Sequence, residues 1–135
     1  MTRVAAFGVI AFGLAACGEG VAPDAPSASR GAALFAQYCV GCHGATGEGD
    51  GPEAGARRPA DLTRLRARNG GVYPAVRVMG QVYGYSLGTA QSPAMPEFGP
   101  LLEGDTVLVE TDAGILTPTP SRLVDLADYV ATLQK

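Results

Sequence analysis

The chain has 135 residues and a mass of 13.7 kDa, enough for one ordinary domain and too little for a multidomain enzyme. Its 19 Gly and 10 Pro occupy about a fifth of the positions, against roughly 12% in an average protein, so a loop-rich globule is expected. Ten Lys and Arg against 13 Asp and Glu give a net charge of −3, which excludes the basic excess of a nonspecific nucleic-acid binder. Three cysteines, an odd number, need an explanation.

The chain opens with one positive charge, Arg3, followed by an uncharged run over residues 4–16 and then Cys17. That run is too short for a bilayer span, which takes about 20 apolar residues. A cationic start, an apolar centre and small residues before a cut site predict a secretory signal peptide over residues 1–16. Leu14-Ala15-Ala16-Cys17 resembles a bacterial lipobox, in which the cysteine becomes the mature N-terminus and its sulfur carries a lipid. Ordinary signal cleavage nearby is the alternative. With Cys17 first, Arg3 is lost, leaving nine basic and 13 acidic side chains and a net charge of −4. Residues 18–29 are small, polar and Pro-bearing, and read as a tether that could reach about 37 Å when fully extended. The folded domain is therefore expected over residues 30–135, behind a tether at 17–29.

The other cysteines stand in Cys39-Val40-Gly41-Cys42-His43. Cys-Xaa-Xaa-Cys-His is the attachment motif of c-type haem: two intervening residues let both thiols reach the vinyl groups of one porphyrin, and the adjacent imidazole can turn onto the iron. A thioredoxin-like pair would need a βαβ context, and a Gly-rich loop follows instead. Structural zinc needs four Cys or His ligands, and the domain offers Cys39, Cys42 and His43. A plain disulfide leaves His43, the chain's one histidine, unexplained.

Leu34, Phe35 and Tyr38 have helical spacing ahead of the motif. Near the other end, Thr119 reads as a helix cap and Pro120 as a first-turn residue. Leu123, Leu126, Ala127, Val130 and Leu133 then recur on one face. Residues 30–39, running into the haem motif and Gly44, resemble the N-terminal helix of the class I, monohaem cytochromes c, with Gly31 and Phe35 matching that family's helix-crossing glycine and aromatic. The resemblance implies a mostly α fold with crossed N- and C-terminal helices around one covalent haem c. It covers roughly residues 30–103 and 119–135.

The resemblance also assigns residues. Met95, in Ser92-Pro93-Ala94-Met95-Pro96, is similar to the family's distal Met-Pro loop and is expected to give the iron its sixth ligand opposite His43; such a thioether raises the potential. Met79 lies in an apolar periodic stretch and reads as core filling. The family uses a proline carbonyl to hold the ligand imidazole. Pro59, in Pro59-Ala60-Asp61-Leu62, resembles that element, with Leu62 on the porphyrin face and Pro52 as the competitor. Residues 44–51 form a glycine-rich turn without the Lys-Ser or Lys-Thr of a phosphate loop.

Arg57, Arg58, Arg64, Arg66, Arg68 and Arg77 crowd one stretch with only Asp61 opposing them. They read either as propionate partners and a steering patch for an acidic redox protein, or as a solvated face with Leu62 and Leu65 turned inward. Tyr73, Tyr83 and Tyr85 are candidates for propionate contact or for packing. Residues 104–118 depart from a minimal cytochrome: alternation at Val107, Val109 and Thr111 and a turn at Asp112-Ala113-Gly114 predict a small β-hairpin near 106–117.

The expected activity is one-electron transfer on the periplasmic side of a bacterial membrane, anchored through Cys17. Redox proteins would be the donors and acceptors, with no nucleic acid and no small-molecule substrate. A haem subunit or electron-accepting module of a periplasmic dehydrogenase is the first alternative. A gas-binding sensor or peroxidase, which needs an open iron site, is the second.

Overall fold

The computed structural model describes residues 25–57, 59–85 and 95–135. The signal segment, Cys17, most of the tether, Arg58 and residues 86–94 lie outside that set. About half of the described chain is helical, and it carries one small antiparallel hairpin, a mostly α class of fold.

Helix α1, Ala28–Tyr38, begins two residues before the expected domain boundary at 30 because Ser27 caps it, its hydroxyl accepting the Ser29 N–H. The start is also tied to the far end of the chain. Asp125, buried in α6 (Ser121–Thr132), accepts the Ser27 N–H at 2.5 Å and Arg30 Nε and Nη2 at 2.9 and 3.0 Å. These charge-assisted bonds give the buried carboxylate the partners it requires.

The two terminal helices cross where α1 has no side chain. A Cβ on Gly31 would stand 1.9 Å from the Asp125 carbonyl oxygen and 2.8 Å from Tyr129 Cβ. One turn on, Phe35 packs its ring 5.2 Å from that of Tyr129. Leu34, Phe35, Leu123, Leu126, Ala127 and Val130 form the shared core, as their spacing predicts.

Helix α4, Ala75–Tyr83, covers another side of α6, and Met79 fills the core there. The Tyr73 hydroxyl donates to the Ala127 carbonyl at 2.8 Å, which makes that tyrosine a packing residue. Gly84 ends α4 in a left-handed conformation (φ 108°) that glycine adopts without strain. A single turn, α5 (Gly99–Leu102), follows and buries Leu102.

The hairpin consists of β1, Thr106–Asp112, and β2, Ile115–Pro120, with Val107 opposite Thr119 and Val109 opposite Thr117. It runs further than expected. Thr119 is not a helix cap: it lies buried in β2, because a residue before proline is pushed toward extended backbone. Pro120 is itself extended (φ −54°, ψ 128°), and α6 starts after it. The capping function passes to a main-chain group, the Asp105 carbonyl, which accepts the Ser121 N–H at 2.8 Å and hydroxyl at 2.9 Å.

Candidate functional site

Cys39 closes α1, and the next turn, α2 (Val40–His43), carries Cys42 and His43. A helix of one turn has no internal partners for most of its carbonyls and does not persist alone. The glycine-rich loop behind it supplies them. Glu53 N–H donates to the Gly41 carbonyl at 2.7 Å, Gly51 N–H to Cys42 at 3.1 Å and Gly49 N–H to His43 at 2.8 Å. The approach is close enough to need glycine: a Cβ on Gly51 would lie 2.4 Å from the Gly41 carbonyl oxygen.

His43 is buried, and its Nδ1 lies 3.0 Å from the Ala60 carbonyl oxygen. A carbonyl only accepts, so Nδ1 carries the proton. Burial lowers the imidazole pKa from its usual value and the Ala60 bond opposes that shift. In the neutral ring Nε2 then holds the free lone pair, and it has no hydrogen-bond partner among the described residues. The sequence expectation placed this bond on Pro59, and the structure moves it one residue on. The Pro59 carbonyl faces Gly49 instead, where a Cβ would come within 2.4 Å of its oxygen.

The 59–66 stretch that delivers Ala60 is pinned at both ends. Leu62 N–H donates to the Gly47 carbonyl at 2.7 Å. Gln134 Nε2 donates to the Leu62 carbonyl and its Oε1 accepts the Arg66 N–H. Asp61 accepts from the Thr63 N–H and hydroxyl, which, helped by Arg68 and Arg64, hold its carboxyl below the usual range. Leu62 and Leu65, the latter opening the single-turn helix α3 (Leu65–Arg68), are half-buried against the core, so both point inward as the solvated-face reading expected.

Cys39 and Cys42 are both free thiols. Cys39 is half-buried against the core, and desolvation, helped by Cys42, pushes its pKa up to about 11. Cys42 lies near the Glu53 carbonyl. Among the described residues no group of three His, Cys, Asp or Glu converges as a metal site, so the zinc reading finds no ligand set there.

Met95 is half-buried and stands three residues before Phe98. The Phe98 N–H donates to the Val82 carbonyl at 3.0 Å, and its ring packs 6.3 Å from Tyr38, the neighbour of Cys39. The chain that follows Met95 therefore packs beside the C-terminal end of α1. No side-chain motif announced the Tyr38–Phe98 contact or the Ala60 carbonyl.

Arg64, Arg66, Arg68 and Arg77 are exposed; Arg68 reaches the Asp61 carbonyl and Arg77 the Asn69 side chain. Tyr83 stacks on Tyr85 with centroids 4.7 Å apart. Neither tyrosine contacts the Cys39–His43 turn through a described hydrogen bond.

Two free thiols three residues apart, an imidazole with one nitrogen fixed and the other open, and half-buried Val40, Leu62, Val78, Val82 and Phe98 around the core edge suit an apolar macrocycle with a metal at its centre. A search of curated proteins returns no match. The family model described as cytochrome c matches residues 28–134, nearly the whole described chain. The chain therefore belongs to the cytochrome c family, electron-transfer proteins with covalently bound haem c, and its single domain is consistent with one haem.

Proposed function

We propose that the protein is an exported one-electron carrier in which Cys39 and Cys42 hold one haem c by thioether bonds and His43 and Met95 are the axial ligands. The observation that carries this reading is the orientation of His43: Ala60 fixes the Nδ1–H tautomer, so the Nε2 lone pair is left available on the residue that follows the two free cysteines. When bound, haem supplies the ferric/ferrous couple. The chain's part would be to hold the porphyrin against an apolar wall, orient the His43 imidazole and offer the Met95 thioether to the iron. Leu62, half-buried at the core edge, is assigned to that wall.

Redox proteins are the proposed donors and acceptors. The exposed arginines at 64, 66, 68 and 77 favour partners with acidic surfaces, by steering diffusional encounter. We assign the protein to the periplasmic side of a bacterial membrane, with residues 1–16 as the cleaved signal and Cys17 as the lipid anchor.

On a denaturing gel the wild-type protein should retain haem stain, and the Cys39→Ser, Cys42→Ser double variant should lose it. Redox titration should follow a one-electron curve. Ready binding of carbon monoxide by the ferrous protein would reveal an open iron site and overturn the carrier reading. The anchor has its own measurement: fatty-acid label should enter the wild type and not Cys17→Ser, and equal labelling of the two would exclude the lipid.

A further inference from the structure

A two-stranded sheet has two edges, and those of this hairpin are not equivalent. In an antiparallel ladder, residues alternate between pairs that exchange hydrogen bonds and pairs whose N–H and C=O point outward. Pro118 and Pro120 have no N–H and stand opposite Leu108 and Thr106, so these are the non-bonded pairs. The ladder bonds fall on Val107 with Thr119 and Val109 with Thr117. The outward positions of β2 are then Leu116, Pro118 and Pro120, and the prolines blunt that edge against any added strand.

The edge of β1 carries no such protection. Its outward positions are Thr106, Leu108 and Glu110, each with an N–H and a C=O, and none of them has a backbone partner beyond the ladder among the described residues. The stretch Thr106-Val107-Leu108-Val109-Glu110 has high strand propensity and lacks Gly and Pro. A register shift between Glu110 and Asp112 ends the regular edge. On the solvent face of the same hairpin, Leu108 is 64% exposed and Leu116 58%.

We infer that the β1 edge pairs antiparallel with β1 of a second copy of this chain, giving a four-stranded sheet in the order β2-β1-β1-β2. With the two-fold axis at Leu108, Leu108 faces its own copy and Thr106 faces Glu110. Every outward N–H and C=O from Thr106 to Glu110 then has a partner. A two-fold at Glu110 would set two carboxylates directly opposite each other, which is unfavourable. The Leu108 register also sets the exposed Leu108 side chain against its own copy at the axis, taking apolar surface out of water. The prolines of β2 stop further addition, so the assembly closes as a dimer and does not extend into a fibre.

The test is sedimentation of the full haem-loaded chain in density-matched detergent, so that protein mass alone is read. Wild type should show a monomer–dimer equilibrium. Leu108→Lys and Leu108→Glu should each weaken it at least about ten-fold, and mixing the two variants should restore dimer, because opposite charges then meet at the axis. Leu108→Pro, which removes an outward N–H and no ladder bond, should weaken it as well. Leu116→Lys places a charge on the same face away from the axis and should leave the dimer in place. A wild type that stays monomeric to about 1 mM, a dimer indifferent to Leu108→Lys and Leu108→Pro, loss of dimer through Leu116→Lys alone, or a mass showing a different protein on the edge would each overturn the inference.

Discussion

Met95→Ala is expected to abolish the methionine-sulfur charge-transfer band of the ferric protein and to lower its midpoint potential, with haem still covalently attached. As the proposed ligand, the Met95 thioether would stabilise the ferrous state, and alanine offers no donor to replace it. The fold should survive, because the segment is held downstream by the Phe98 bond to Val82 and the ring contact with Tyr38. Met79→Ala should do the reverse. Met79 is buried in the core, so truncation should cost about 2–5 kcal/mol of stability and leave the band intact. Near-infrared absorption of the ferric protein and potentiometry read the first effect, and urea unfolding reads the second. Loss of the band on changing Met79 and not Met95 would reverse the ligand assignment.

Gly31→Val should be the most damaging single substitution away from the thiols and His43. Its Cβ would sit 1.9 Å from the Asp125 carbonyl oxygen and 2.6 Å from the carbonyl carbon, and those are main-chain atoms that no rotamer change can move. The α1–α6 pair would have to separate, loosening the Phe35–Tyr129 contact and the Asp125 bonds to Ser27 and Arg30. Overpacking of this kind costs up to about 3 kcal/mol or more, a large share of a typical domain's ~5–15 kcal/mol. Gly31→Ala makes the sharper comparison. Alanine gains about 1 kcal/mol in helix propensity, yet its Cβ meets the same carbonyl, so a net loss is still expected. Urea midpoints decide it: a midpoint raised by Gly31→Ala would show that the crossing is looser than described.

The haem motif and both terminal helices were legible because their signals are local. Cys39, Cys42 and His43 declare their chemistry within five positions, and Leu34, Phe35, Leu126 and Val130 show the period of a buried face. Glycine at 31 was legible through the family resemblance, and the crossing geometry gives it a physical cause. The hairpin could be read from alternation and from the Asp112-Ala113-Gly114 turn. Its far end departs from the pattern at Thr119-Pro120, where a cap-plus-proline sequence also suits a strand entering a helix. Only the Asp105 carbonyl, brought in from β1's start, distinguishes the two.

The partner of His43 was illegible for a different reason. Every residue from Pro59 to Leu62 has a carbonyl, so the choice of Ala60 depends on how the 59–66 stretch is hung between Gly47 and Gln134. Asp125 likewise looks like any helix carboxylate until Ser27 and Arg30 arrive from nearly a hundred residues away.

The sequence by itself determined the cofactor class, the family resemblance and the apolar faces, since these rest on residue type and short spacing. Tertiary structure decided which carbonyl orients the imidazole, which backbone atoms forbid a side chain at Gly31 and which edge of the hairpin is open. The first two are set by main-chain groups that all residues share, and the third by the strand register that turns Pro118 and Pro120 outward; only packing between distant parts of the chain gives such groups their neighbours.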